Sequence, residues 1–176
     1  MDEKQKISAE ILDEISQGET LEVEFKHDHK DFSDTLVTKA VVALANAEGG
    51  RIYVGVKNNC EIVGSKRLKD EYWKNESAIE GMILSSTTPS HGTKVSVLAH
   101  DEHKIICIHV PKAKTTIGTS SGLYLKRRIN SKGEPENQPM TPDEIFGGIT
   151  RLGTNDFSAT VLNGLSYQDI DLQLAD

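Results

Sequence analysis

A chain of 176 residues, 36 % hydrophobic and 27 % charged, has the make-up of one globular core with room for a small appendage. No apolar run approaches the roughly 18 residues of a membrane span, which excludes a membrane partner for this stretch. The net charge of −7 excludes a generic DNA-coating protein.

In chain order, Ile7, Ile11, Leu12 and Ile15 share one face of a short helix over about 7–15, with Ser8 as its N-cap. The charged residues before it, Met1 to Lys6, are not followed by an apolar stretch and do not form a secretory signal. Gln17-Gly18 ends the helix. Leu21, Val23 and Phe25 then alternate with Glu22, Glu24 and Lys26, which predicts a half-buried strand with the glutamates on a solvated face. A polar loop, His27 to Phe32, leads to a helix starting near Ser33 or Asp34. Its stripe of Leu36, Ala40, Ala43, Leu44 and Ala47 suits close packing on a sheet.

Ala45-Asn46-Ala47-Glu48-Gly49-Gly50 reads as a helix end with a double-glycine stop, Gly49 taking the positive φ of a C-cap. A buried strand, Arg51 to Val56, follows. Lys57-Asn58-Asn59-Cys60 is a turn, and Glu61-Ile62-Val63-Gly64 returns from it, so a hairpin is expected. Residues 66–85 read as mostly helical until Pro89-Ser90-His91-Gly92. Val95, Val97 and Ala99, then Ile106, Ile108 and Val110, alternate around the turn at 100–103 and predict a second hairpin.

Residues 111–122 form a twelve-residue loop, long enough to suggest function. Leu123-Tyr124-Leu125 is a short strand, and Ser131 to Met140 another loop. Thr141-Pro142 starts a last helix. Residues 153–176 read as a linker and the start of a further segment, whose final helix stops in mid-pattern at Asp176. The fold expected is α/β in the broad sense, an α+β sandwich: a mixed sheet with hairpins packed against helices. The expected divisions are an N-terminal helix over 1–18, a domain over 19–152, and the segment 153–176.

Charge is concentrated. Lys112, Lys114, Lys126, Arg127, Arg128 and Lys132 lie within 21 residues that hold no acid, +6 against −13 for the other 155. The bland reading is a solvated loop. The sharper one is a phosphate-binding patch, with Tyr124 as a stacking surface. Arg127 and Arg128 point to opposite faces if the strand continues through them, so one of them at most joins a given groove. The histidines of His27-Asp28-His29 and His100-x-x-His103 lack cysteines at zinc spacing, and no metal site is assigned. Gly50 to Gly55 has the span of a phosphate-cradling loop, but Val56 stands at the lysine place, and no cofactor is expected. Cys60 and Cys107 read as thiols rather than a disulfide framework, which suits a cytoplasmic protein.

Glu19, Glu24, Phe25 and Lys26, followed by Ala45-Asn46-x-x-Gly49-Gly50, its strand to Gly55-Val56, and Ile62-Val63-Gly64, resemble the Schlafen-type AlbA-like domain over roughly 19–151. Tyr124 to Ser131 matches that family's later aromatic and basic segment loosely. The resemblance implies a DNA- or RNA-binding module at the N-terminus of a bacterial transcriptional regulator, and a homodimer is one arrangement it suggests. It also implies an alternative. Some vertebrate relatives cut tRNA or rRNA with three acids and a divalent metal, and Glu19 and Glu24 match two of them. The third belongs in a Gly-Val-x-Asp context, which here is Gly55-Val56-Lys57-Asn58. A further alternative is a protein-interaction or dimerisation domain.

Overall fold

The computed structural model describes residues 6–28 and 32–150. His29 and the expected segment 153–176 lie outside the described residues. Helix α1 (Ala9–Ser16) is capped as expected, Ser8 Oγ accepting from Ile11 N at 3.3 Å. Strand β1 (Val23–Lys26) leads into α2 (Asp34–Ala45), and the chain returns as β2 (Gly50–Val54), parallel to β1 with Val23 opposite Arg51. After a 3-10 turn (Lys66–Lys69) come α3 (Glu76–Ser86) and β3 (Thr87–Thr88). The expected hairpin is β4 (Lys94–His100) with β5 (His103–Val110). Then follow β6 (Gly118–Thr119), β7 (Leu125–Ile129), β8 (Pro135–Pro139) and α4 (Pro142–Thr150).

The main sheet runs β1-β2-β5-β4, one parallel pair in an otherwise antiparallel set, as the expected mixed sheet requires. It is covered on both faces. Ile52 and Val54 of β2 with Ile106 and Ile108 of β5 meet α2 and α3 in one core. Tyr53, Ile105, Cys107, Val23 and Phe25 face the other way, where Ile15 of α1 packs with Ile7 and Ile11 beside it. Glu14 fastens α1 there by accepting from Arg51 Nη1 at 2.6 Å and from the Tyr53 hydroxyl. Burial and that carboxylate raise the Tyr53 phenol, and burial pushes the Cys107 thiol up to about 11. Both cysteines are free thiols. No helix among the described residues is long and apolar enough to cross a membrane.

Three expectations change. Helix α2 is buried nearly all round from Val37 to Ala45, more than a single stripe implies, while Leu36 of the expected stripe is exposed. The return after β2 is a hairpin of one antiparallel bridge only, Val56 to Ile62 with Lys57 N on Glu61 O at 3.0 Å, because Val63 N and Gly64 N both bond to Gly55 O and Ser65 N moves on to Lys104 O. Both expected loops hold strands: β6 pairs with β3, and β8 pairs with β7. Pro135 and Pro139 bracket β8 as a proline-tolerant edge, and its residues lack the alternation that marks a strand.

The turn from α2 into β2 depends on glycine. Gly49 has φ +82° and Gly50 φ +144°, and a Cβ on Gly50 would lie 2.0 Å from Glu22 O. That absence of a side chain lets β2 draw alongside β1, with Arg51 N bonding Glu22 O at 2.7 Å.

Candidate nucleic-acid interface

Asn46, the C-cap of α2, fixes where the basic residues lie. Its amide nitrogen donates to Ile117 O and to Leu125 O, both at 2.8 Å, and its oxygen accepts from Ile117 N at 2.9 Å. Ala113 N adds a bond to Ala45 O at 2.8 Å. One side chain thus joins the loop carrying Lys112 and Lys114 to strand β7, which carries Lys126. Sequence reasoning took Asn46 only as part of a motif. The available signal was an amide among alanines at a helix end, where a buried polar group needs partners.

Glu48 marks the meeting of the two segments. Lys112 Nζ bonds Glu48 Oε2 at 2.7 Å, and the glutamate is held below its ordinary value by that bond and charge, with Lys126 contributing from β7. Lys114 is exposed, and neither it nor Lys126 has an ion-pair partner among the described residues. The half-buried Tyr124 ring lies against Gly118, where a Cβ would come 2.9 Å from a ring carbon.

Arg127 lies elsewhere, and the expectation that its side chain joins the accessible basic face is corrected. Alternation along β7 turns it under the hairpin, where it is 4 % exposed. Its Nη1 pairs with Glu24 Oε2 and reaches Asn137 Oδ1 at 3.1 Å; Nε donates to Thr20 O at 3.1 Å and Nη2 to Val23 O at 3.0 Å. Glu24 is equally buried, which corrects its placement on a solvated face: the β7–β8 hairpin covers that side of β1. Lys26 Nζ pairs with the second Glu24 oxygen, along the strand. Glu19 completes the cluster by accepting from Phe25 N at 2.8 Å. Burial, then the neighbouring Glu24 charge, raises the Glu19 carboxyl above its ordinary value.

Arg128 is half-buried and pairs with Glu144 at the start of α4. Glu144 also accepts from Thr141 N at 3.0 Å while Thr141 Oγ1 accepts from Glu144 N at 3.4 Å, a reciprocal cap. The Thr141 bond first, then Arg128, lowers the Glu144 carboxyl. Thr115 Oγ1 donates to Gly148 O at 3.2 Å, which seats α4 beside the basic loop.

The family model described as Schlafen, AlbA_2 matches residues 19–136, from the β1 approach to β8. The chain belongs to the Schlafen AlbA_2 family. The DIP2311 protein of Corynebacterium diphtheriae has a similar fold, with a TM-score of 0.54 at 17 % identity over 73 % of this chain. The match spans 26 % of that protein, so this chain corresponds to about a quarter of it. The N-terminal domain of a RecG-related protein from Nitrosomonas europaea aligns over 75 % of this chain and 92 % of its own, at 18 % identity and a TM-score of 0.49. No curated protein matches the chain significantly.

In this AlbA_2 chain, Glu19 and Glu24 come together as the nuclease alternative requires, but both Glu24 oxygens are held by cations. Lys57, beside the third-acid position, pairs with Glu61 at 2.8 Å. Among the described residues no three of His, Cys, Asp and Glu gather as a metal-binding group.

The same residues have a structural use. β1 is an edge strand, and three of its outward backbone groups are occupied: Val23 N by Thr20 Oγ1 at 3.0 Å, Val23 O by Arg127, and Phe25 N by Glu19. The opposite edge, β4, is partly covered in the same way, by Glu80 on Val95 N at 2.8 Å, Glu76 on Val97 N at 2.7 Å, and Ile7 N on Ala99 O at 3.0 Å. Edges occupied in this way resist pairing with other strands.

Proposed function

We propose that this domain binds nucleic acid through phosphate contacts from Lys112, Lys114 and Lys126, with Tyr124 beside them, as the DNA-binding module of a bacterial transcriptional regulator. The observation that carries the reading is the convergence at Glu48: Lys112 from a loop and Lys126 from β7 act on one carboxylate, and Lys114 stands exposed on the same loop as Lys112. Lys114 and Lys126 have no ion-pair partner among the described residues and Lys112 has only the exposed Glu48; neutralising phosphates with such ammonium groups releases the counterions condensed on the nucleic acid, and that release drives binding. Family membership supports the class of ligand. Arg127 and Arg128 serve the reading indirectly, by fixing β7 and α4 behind the lysines.

Fluorescence anisotropy with duplex DNA, single-stranded DNA and hairpin RNA at about 50 and 200 mM salt tests this, since a few phosphate contacts change affinity strongly across that range. The reading expects salt-sensitive binding that Lys112→Glu/Lys126→Glu abolishes, with duplex DNA the tightest. Binding that the double reversal leaves unchanged overturns the assignment. Manganese-dependent RNA cleavage lost in Glu24→Gln would instead establish the nuclease alternative.

A further inference from the structure

Helix α4 has no buried residue, and its two largest apolar side chains, Phe146 and Ile149, are 69 % and 49 % exposed. With the exposed Pro142 they stand at i, i+4 and i+7, one apolar stripe along the helix. The stripe cannot turn inward, because the opposite side of the helix is fixed. Glu144 pairs there with Arg128, and Gly148 O accepts from Thr115 Oγ1 at 3.2 Å. Contact on that side is so close that a Cβ on Gly148 would stand 1.7 Å from Thr116 Oγ1. A helix held this firmly with an aromatic ring facing outward presents a docking surface.

We propose that residues 157–174 of this same chain cover the Pro142, Phe146 and Ile149 face of α4 and bring Asp169 and Asp171 to the neighbouring lysines, where they compete with nucleic acid. Position argues for this occupant. The segment follows α4 after Gly153-Thr154-Asn155-Asp156, a composition that lets a chain reverse. Reach does not limit it: the stripe is about 10 Å long at the helical rise, and the seven residues from Thr150 to Phe157 extend up to roughly 23 Å. Composition matches the face, since Phe157, Val161, Leu162, Leu165, Ile170 and Leu172 offer apolar side chains. Charge matches its surroundings. Residues 152–176 carry Asp156, Asp169, Asp171 and Asp176 and no lysine or arginine. The exposed Lys114 is the chain neighbour of Thr115, which touches α4, so an acidic segment lying on α4 meets a cation. Tethering then favours the chain's own segment over a second copy, because a short linker gives an effective concentration on the order of millimolar. The competition deepens the nucleic-acid reading and rests on it, whereas the docking stands or falls alone.

The test keeps the full chain and reads two quantities: NOEs from the Phe146 ring and Ile149 methyls, and affinity for duplex DNA at about 50 mM salt, where electrostatic competition is strong. In wild type the NOEs are expected to reach the methyls of Val161, Leu162 and Leu165 at every protein concentration. Leu162→Ser/Leu165→Ser should lose them and bind DNA about fivefold more tightly. Asp169→Asn/Asp171→Asn should tighten binding by a similar factor, the scale of two exposed ion pairs. Phe146→Ser should tighten it as much by itself and add nothing to Leu162→Ser/Leu165→Ser. Asp101→Asn/Glu102→Gln, at the other end of β5 from Lys112, removes the same charge and should change affinity by less than about twofold. Absence of NOEs between α4 and the segment overturns the docking. NOEs found only between differently labelled copies place a second molecule on the face and overturn the assignment to the chain's own segment. NOEs with equal DNA affinity in every variant overturn the competition. If no variant binds nucleic acid, the nucleic-acid reading fails and the competition with it, while the NOEs still decide the docking.

Discussion

Lys126 and Arg127 are adjacent in β7 and carry the same formal charge, yet the fold gives them opposite surroundings. Arg127 is buried with its donors spent on Glu24, Asn137 and the backbone of β1. Lys126 faces outward with Lys112 across Glu48. The contrast shows that a run of basic residues is not one patch. Alternation along a strand divides it into cations that hold the fold and cations left for a ligand.

Breaking the buried side should have the largest effect. Arg127→Ala leaves Glu24 buried against Lys26 alone and frees the β1 backbone, a loss of about 3–5 kcal/mol by the usual cost of orphaning a buried charge. A fall in the urea midpoint with an unchanged slope measures it; a loss below about 1 kcal/mol would mean Arg127 is solvated in solution.

Asn46→Ala should come next, at about 1–3 kcal/mol, because two carbonyls and one N–H lose their partner together. It should also weaken nucleic-acid binding, since the staple holds the two lysine segments in place. Wild-type affinity in this variant would separate the staple from the interface.

On the exposed side, Lys126→Ala should move stability by no more than about 0.5 kcal/mol, as surface changes do. Its mark is electrostatic: the slope of log K against log salt should fall by about 0.9 for the lost phosphate contact to duplex DNA.

The smallest effect sharpens the comparison by pH. The Glu19 carboxyl is raised in the folded protein, so its contribution favours folding below the ordinary value of 4.5 and is lost as pH rises through the higher folded value. Glu19→Gln keeps an acceptor for Phe25 N and removes the charge beside Glu24. It should therefore be slightly more stable than wild type at pH 7, and the difference should vanish below pH 4.5. Glu144 has the opposite sign. Its lowered carboxyl stabilises the α4 cap above 4.5, and that contribution is lost as pH falls through the folded value.

Much of the fold could be read from pattern. The Ser8 cap, the β4–β5 alternation, the double-glycine turn and the Thr141 helix start are local signals, and each element formed where its signal lies. What could not be read depends on contacts distant in sequence. Glu24 reads as solvated because nothing near it in sequence reports a hairpin a hundred residues later that covers it. β8 escapes notice because Pro135-Glu136-Asn137-Gln138-Pro139 has neither alternation nor β-branched residues, and its pairing is imposed by β7. In the candidate site, the basic composition was legible, while its division between Arg127 and the lysines required the partner strand.

The most direct test of that division is the salt dependence of duplex DNA binding, measured with the melting temperature of the same samples, for wild type, Lys112→Ala/Lys114→Ala/Lys126→Ala and Arg127→Lys. The account predicts a triple variant with wild-type melting and a slope lower by nearly three, and an Arg127→Lys protein with wild-type slope but a lower melting temperature, since lysine cannot supply the forked donors. A triple variant that binds with the wild-type slope, or an Arg127→Lys protein that melts normally and binds with a reduced slope, would contradict it.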